Sequence, residues 1–216
     1  MRTTHALAIA SAATIGLAAH ADLVSTFGFT DLNANYNGLV FSALSQGALP
    51  TGGDITDYSA PGFQTASFES GFIGVQSITD VLFQMDIGNI TATTADGTNG
   101  RIVIRDNDGD VLSGSFNGTW DLRFGFGFFD GEITFAQYND AGNGIFEGTT
   151  NLDSFETPDG TYIGAISFLV QMPEWFSDAA VIENLSAQGD GILVTPSPAS
   201  IALLGLGGLV ASRRRR

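Results

Sequence analysis

The sequence predicts an all-β protein, an antiparallel β-sandwich of jelly-roll type with a short membrane-sorting helix at its C-terminus. Glycine accounts for 28 of the 216 residues and phenylalanine for 17, a composition rich in turn formers and in strand-forming aromatics. Turn signals recur about every 8 to 15 residues, a spacing typical of the short strands of sandwiches. Between several of these turns apolar and polar residues alternate with period two, which indicates strands with one buried face.

Ten segments carry this strand pattern, and Gly, Pro, Asn, Asp or Ser residues bound each of them. The predicted strands are Leu23–Thr30, Leu39–Ser45, Gln64–Phe72, Ser77–Asp86, Arg101–Arg105, Val111–Phe116, Thr119–Phe128, Glu132–Tyr138, Thr161–Met172 and Gly191–Val194.

The clearest hairpin prediction covers Thr119–Tyr138, with Asp130 and Gly131 as its two-residue turn. Before that turn, phenylalanines at 124, 126 and 128 alternate with glycines at 125 and 127. The phenylalanines should therefore share one face and leave the other face without side chains. Two interpretations follow: a core face backed by a close neighbouring sheet, or a flat platform for a sugar chain.

A helix is predicted for Pro173–Leu185, because proline is favoured in the first turn of a helix. This helix would form an inserted connection in the sandwich. Its aromatic residues, Trp175 and Phe176, fit core positions better than ligand contacts.

Residues 1–21 carry the pattern of a secretory signal peptide. Arg2 supplies a positive start, Ala6–Ala19 an apolar segment, and the small residues Ala19 and Ala21 flank His20 as a cleavage site. The apolar segment is too short to cross a membrane comfortably, since a spanning helix needs about 20 apolar residues. We therefore predict export and a new N-terminus at Asp22.

Residues 195–216 form a second segment that is unlike a folded domain. Two prolines flank Ser197, a short apolar helix follows at Ile201–Ala211, and four arginines end the chain. The 14 residues from 199 to 212 span about 21 Å as a helix, which is short for a bilayer. The arginines would stay on the cytoplasmic side. The residues of this membrane-sorting motif are Pro196, Ser197, Pro198, Arg213, Arg214, Arg215 and Arg216.

This tail resembles the PEP-CTERM sorting segment of exported bacterial proteins, with serine where that family has glutamate. The resemblance covers residues 195–216 alone. It implies recognition by an exosortase-type processing enzyme, membrane attachment through the tail before any cleavage, and association with exopolysaccharide or biofilm. It also implies a cell-surface or extracellular location in a bacterium with an outer membrane.

The domain predicted between the two segments, residues 22–194, is strongly acidic. It holds all 23 acidic residues of the chain but only three arginines, at 101, 105 and 123, and no lysine, which leaves a net charge of −20. Nucleic acid is excluded as a partner, because its binding depends on cationic contacts to phosphate. The charge favours cations and neutral glycans instead.

The same domain lacks three residue types on which much enzyme chemistry depends. Histidine occurs only at His5 and His20, inside the predicted signal peptide, and the chain has no cysteine and no lysine. Triads that use histidine, cysteine nucleophiles, Schiff bases and ordinary zinc sites are thereby excluded. A glycosidase or lyase that works with carboxylates stays open, although the sequence shows no clustered Asp/Glu pair on one strand.

Two acidic loops have the oxygen-rich composition of calcium sites. Asp106, Asp108 and Asp110 place carboxylates at alternate positions, and a looser version runs from Asp140 through Asn143 to Glu147. The first loop departs from the EF-hand in its glycine position and in its flanking strands. A tight hairpin turn without an ion explains the same residues, so the turn and the Ca²⁺ site both stay open.

From these features we expect a non-catalytic protein of the cell surface or extracellular matrix. A carbohydrate-binding module assisted by Ca²⁺ is the alternative, with Trp120 and Trp175 as contacts because flat aromatic rings stack on sugars. A hydrolase or lyase that uses carboxylates is the third hypothesis.

Overall fold

The computed structural model describes residues 21–45, 51–68, 80–149, 153–177 and 179–196. The predicted signal peptide before Ala21 and the sorting tail after Pro196 lie outside these residues. All regular structure within them is β, which confirms the all-β class. Among the same residues, no helical segment reaches the length and hydrophobicity needed to cross a bilayer.

The strands are β1 Leu23–Tyr36, β2 Val40–Leu44, β3 Gly52–Asp57, β4 Gln64–Phe68, β5 Asp80–Gly88, β6 Thr94–Arg105, β7 Val111–Arg123, β8 Phe126–Asn139, β9 Ile145–Glu147, β10 Ser154–Glu156, β11 Tyr162–Gln171 and β12 Ile182–Val194.

The main sheet closes on itself as an antiparallel barrel of eight strands. Its order is β12-β11-β8-β7-β6-β5-β2-β1, and β1 then pairs with β12 from Leu23 opposite Val194 to Tyr36 opposite Ile182. On its other edge, β1 pairs with β2 through its second half and with β3 through its first half. The predicted sandwich is not confirmed, because eight strands of the main sheet form this closed ring, while β9 and β10 pair with each other as a separate two-stranded sheet.

The core fills the inside of the barrel and is dominated by aromatic rings. Trp120 lies at its centre and packs against Phe41, Phe129 and Phe176, with ring centroids 4.9, 5.2 and 5.3 Å apart. Phe168 of β11 joins the same group. Because strands from all sides of the ring contribute to it, the domain has one shared core.

The predicted hairpin exists, but its turn lies six residues before the expected place. Phe124 and Gly125 form the turn, with φ of 54° and 80°, and Arg123 pairs with Phe126 across it. Positive φ at both central residues matches the twist of antiparallel strands, which gives the turn its position. The predicted turn residues lie inside β8, where a side chain at Gly131 would collide with the ring of Phe129.

The faces of β8 are also the reverse of both interpretations made from the sequence. Phe126 and Phe128 are exposed, whereas Gly127 and Phe129 face the core. Met172 occupies the space over Gly127, since a Cβ there would lie 2.5 Å from the Met172 sulfur. Gly127 therefore makes room for a core side chain and Gly125 lies in the turn, so the two glycines form no bare platform.

The predicted helix at Pro173–Leu185 is wrong. The described residues between β11 and β12 are irregular, and β12 begins at Ile182, nine residues before the predicted strand. Strand pairing prevails here because β12 bonds to β1 on one edge and to β11 on the other. It also buries Ile182 and Leu185, two residues of the predicted helix, in the core.

Antiparallel pairing divides the connections between the two ends of the barrel. The turns 106–110 and 140–144 lie at one end, which we call the acidic end. The turns 37–39, 89–93 and 124–125 and the loop between β11 and β12 lie at the other, which we call the aromatic end. Three exposed apolar residues come from these last connections: Leu39, Phe124 and Val181.

Candidate metal site at the acidic end

The register of β7 and β8 brings the two acidic loops together. Val111, which follows the first loop, pairs with Asn139, which precedes the second. Both loops therefore leave the barrel at the same point although more than 30 residues separate them in sequence. The sequence hypothesis treated them as two sites; the structure makes them one.

The first loop is a turn organised by a single carboxylate. Asp106 Oδ1 accepts hydrogen bonds from the backbone N–H groups of Asp108, Gly109 and Asp110, at 3.2, 2.9 and 2.8 Å. The turn is closed by the bond from the Asp106 N–H to the Asp110 carbonyl, at 3.0 Å. These residues therefore form a tight turn, which is compatible with both alternatives, and Asp106 Oδ2 faces the second loop.

Asp110 joins the two loops. Its side chain is 0% exposed, and its Oδ1 and Oδ2 accept the N–H groups of Gly142 and Gly144, both at 2.8 Å. Asp108 adds a third link, since its Oδ2 accepts the Asn143 N–H at 2.9 Å. Asp110, predicted as a metal ligand, thus has a positioning role, with both its oxygens engaged by backbone donors.

Three other carboxylates converge beside it. One oxygen each from Asp106, Asp108 and Glu147 lies within 4.8 Å of the others. Calcium binds oxygen at about 2.3 to 2.6 Å, so oxygens on opposite sides of the ion can be about 4.6 to 5.2 Å apart. The spacing and the hard oxygen donors fit Ca²⁺.

The cluster brings three carboxyl groups close together. Asp106 is 4% exposed, and burial raises its pKa to about 6, with the neighbouring Asp108 carboxyl contributing to the same rise. The backbone N–H groups of Glu147 and Gly109 oppose that shift. A proton or a cation between Asp106 and Asp108 would relieve the repulsion, so the two compete for this position.

Glu147 is the residue that the sequence hypothesis did not join to the first loop. Its N–H donates to Asp106 Oδ2 at 3.2 Å, and its side chain accepts from Asn143 Nδ2 at 3.4 Å. The two residues are 41 positions apart in sequence, and the register of β7 and β8 brings them together. A sequence signal existed in the asparagine and glycines at 142–144, which resemble the first loop in composition.

The two tryptophans predicted as glycan contacts have different surroundings. Trp120 is 0% exposed at the centre of the core, which rules it out as a surface contact. Trp175 is half-buried at the aromatic end: its ring packs on Phe176, and its Nε1–H donates to the Thr91 carbonyl at 2.9 Å. Phe176 is buried, as expected for a core position.

Comparison with protein-family models, with curated proteins and with solved structures finds no match for this chain. The resemblance of the tail to the PEP-CTERM segment therefore stays a prediction from its residues.

Proposed function

We propose that this chain is an exported, non-catalytic protein of the bacterial cell surface or extracellular matrix. In this proposal the C-terminal tail sorts it through an exosortase-type enzyme and attaches it to the membrane until processing, in a bacterium with an outer membrane. Its domain associates with exopolysaccharide or other envelope components and binds no nucleic acid.

The observation that carries the proposal is the convergence of Asp106, Asp108 and Glu147 in a domain without histidine, cysteine or lysine. Such a site suits binding of a hard cation better than chemistry. The exterior of a cell supplies calcium at millimolar levels, and extracellular calcium modules bind it at about 10⁻⁴ to 10⁻³ M. Bound Ca²⁺ would join the two loops at the end of the barrel from which the tail departs, where the Thr195 N–H donates to the Asp22 carbonyl at 2.9 Å.

A carbohydrate-binding module is the closest alternative, and it differs from a structural matrix protein in having saturable affinity for one glycan. Trp175 keeps a place in this alternative because part of its ring is exposed at the aromatic end.

A hydrolase or lyase based on carboxylates is the third candidate, and the pKa of Asp106, about 6, is the property that favours it. Against it, Asp106 is nearly fully buried and both its oxygens accept backbone N–H groups. A substrate would have to displace these bonds to reach the carboxyl group.

The proposal is tested by co-sedimentation of the full chain with exopolysaccharide from the producing cell, in calcium and in EDTA. Saturable retention is expected in calcium, with weaker retention in EDTA. Deleting residues 201–216 is expected to release the protein into the medium. Absence of retention in both buffers would refute the association with polysaccharide, and unchanged localisation would refute the sorting role of the tail.

A further inference from the structure

A cleft of about 400 Å³ opens at the aromatic end, between the β7–β8 turn, the end of β11 and the start of β12. Its volume falls in the range of about 300 to 1,000 Å³ that ligand sites occupy. One wall is the turn itself, held to the opposite segment by the bond from the Met172 N–H to the Gly125 carbonyl, at 3.0 Å. The residues that matter for recognition are Phe124, Phe126, Gln171, Pro173, Asn184 and Ser186.

The lining of this cleft contains no ionisable side chain, which is unexpected in a domain with a net charge of −20. Two other surface clefts are acidic: one contains Asp130 and Asp190, and the other contains Asp57 and Glu156. The neutral cleft instead combines aromatic rings with amide and hydroxyl groups. Among the described residues, no hydrogen bond occupies the side-chain amides of Gln171 and Asn184.

Phe124 is placed where folding does not favour it. Its φ is 54°, a left-handed conformation that is uncommon for a bulky residue and that favours Asn or Gly in a two-residue turn. Its side chain is 99% exposed and so gains nothing from burial. Phe63 has a similar φ of 48°, but its ring packs on Tyr58 with centroids 5.0 Å apart. The ring of Phe124 is therefore available to a partner.

We propose that this cleft binds a neutral saccharide, with Phe124 stacking on a sugar ring and Gln171 and Asn184 bonding its hydroxyls. Sugars match the lining because each ring presents an apolar face together with polar edges. A second copy of the chain fits less well, since two domains at −20 repel each other. This inference rests on the proposed association with exopolysaccharide and assigns that association a place at the aromatic end.

The test measures affinity of the full-length chain for neutral hexasaccharides of glucose, mannose and galactose, with an alginate hexasaccharide as the charged probe. Calorimetry in a detergent without a sugar head group avoids competition at the cleft. Phe124→Asn removes the ring and suits the left-handed backbone, so the fold is retained. Phe63→Asn is the matched control, because it makes the same change at another exposed, left-handed phenylalanine.

At least one neutral hexasaccharide is expected to bind the parent and Phe63→Asn equally, and Phe124→Asn at least tenfold more weakly. Asn184→Gly, which keeps the positive φ of 60°, should also weaken binding. Equal affinity in Phe124→Asn, binding of alginate alone, or no binding of any neutral probe would overturn the proposal. So would a dimer in sedimentation that Phe124→Asn dissociates. Retention of whole exopolysaccharide by Phe124→Asn would uphold the proposed function while refuting this site.

Discussion

One turn at each end of the barrel reverses the chain between antiparallel strands, and these two turns are built in opposite ways. At the acidic end, the turn from β6 to β7 is built by side chains: Asp106 accepts three backbone N–H groups, and Asp110 accepts two more from the next loop. At the aromatic end, the turn from β7 to β8 is built by the backbone, with Phe124 and Gly125 at positive φ and the Met172 N–H donating to the Gly125 carbonyl.

This difference separates what each end can do. Asp106 and Asp110, which organise the acidic turns, are buried and hydrogen-bonded to backbone N–H groups. A cation would therefore bind to loops that these bonds already hold in place. The exposed ring at the aromatic turn takes no part in holding its own loop. A mutation should therefore affect stability at the acidic end and binding at the aromatic end.

The largest effect is expected from Asp110→Ala, which leaves the N–H groups of Gly142 and Gly144 without their acceptor. Hydrogen bonds to a charged group contribute about 1.5 to 3 kcal/mol each, so the loss of two should lower the free energy of unfolding by about 3 to 6 kcal/mol. Urea denaturation measures this change. Asp140→Ala removes the same charge from an exposed position of the same loop and should change stability by less than about 0.5 kcal/mol. Similar losses in both variants would contradict the positioning role of Asp110.

Calcium should distinguish the acidic end from a mere turn. For a dissociation constant of about 0.5 mM, 5 mM Ca²⁺ stabilises by about 1.4 kcal/mol, or about 4 °C in melting temperature. Asp108→Asn should abolish that rise, and Asp140→Asn, with the same loss of charge, should keep it. At pH 5 the rise should shrink, because protons then compete at Asp106, whose pKa is about 6. If Asp108→Asn keeps the full rise in melting temperature, Ca²⁺ does not bind at this carboxylate cluster and the acidic end is a turn alone.

Asp54, which lies on β3 opposite Gly28 of β1, provides a smaller effect on stability that depends on pH. Partial loss of water around its carboxyl group, together with the nearby Asp190, raises the pKa of Asp54 above its usual value of 3.8. The folded state therefore holds this proton more readily than the unfolded chain, and stability falls as pH rises from about 4 through the folded pKa. Asp54→Asn should be more stable than the parent at pH 7, by less than about 1 kcal/mol since Asp54 is exposed and screened.

This gain should shrink as the pH falls through the folded pKa and vanish near pH 3, where Asp54 is largely protonated in both states because its usual pKa is 3.8. Denaturation at several pH values measures it. Asp130→Asn, at an exposed position on β8, controls for the general relief of negative charge. A gain in Asp54→Asn that stays constant down to pH 3 would exclude the titration of Asp54 as its cause.

The smallest effect is expected for Phe124→Asn, whose stability should stay within about 0.5 kcal/mol of the parent. The ring is fully exposed, and asparagine adopts positive φ more easily than phenylalanine. Phe63→Asn should lose slightly more because its ring packs on Tyr58. Thermal melting of both variants measures this. If Phe124→Asn lowers the free energy of unfolding by more than about 1 kcal/mol, the Phe124 ring contributes to the stability of the turn.

The alternation of residues predicted most strands, since burial on one face leaves a local trace at Val111–Phe116 and Glu132–Tyr138. It did not predict the closure of the sheet, because β1 and β12 pair residues such as Leu23 and Val194 that lie far apart in sequence. The turn at Phe124 was missed because Asp-Gly is the stronger local turn signal, whereas ring packing on Gly131 selected the strand. Glu147 was missed as a partner of Asp106 for the same reason as the closure: register over a long hairpin brings them together.

The course of β12 has a mechanical consequence. One end of this strand provides Asn184 and Ser186 to the neutral cleft, and the other end, Val194, leads directly to the tail. A protein held by its tail and pulled by a polymer in the cleft would carry the load along this single strand, over about 40 Å. Because β1 and β11 bond to its two edges, the load would act in shear on many hydrogen bonds at once and not open them one by one. Under the proposals made above, the domain would act as a tether whose strongest direction runs from the cleft to the tail.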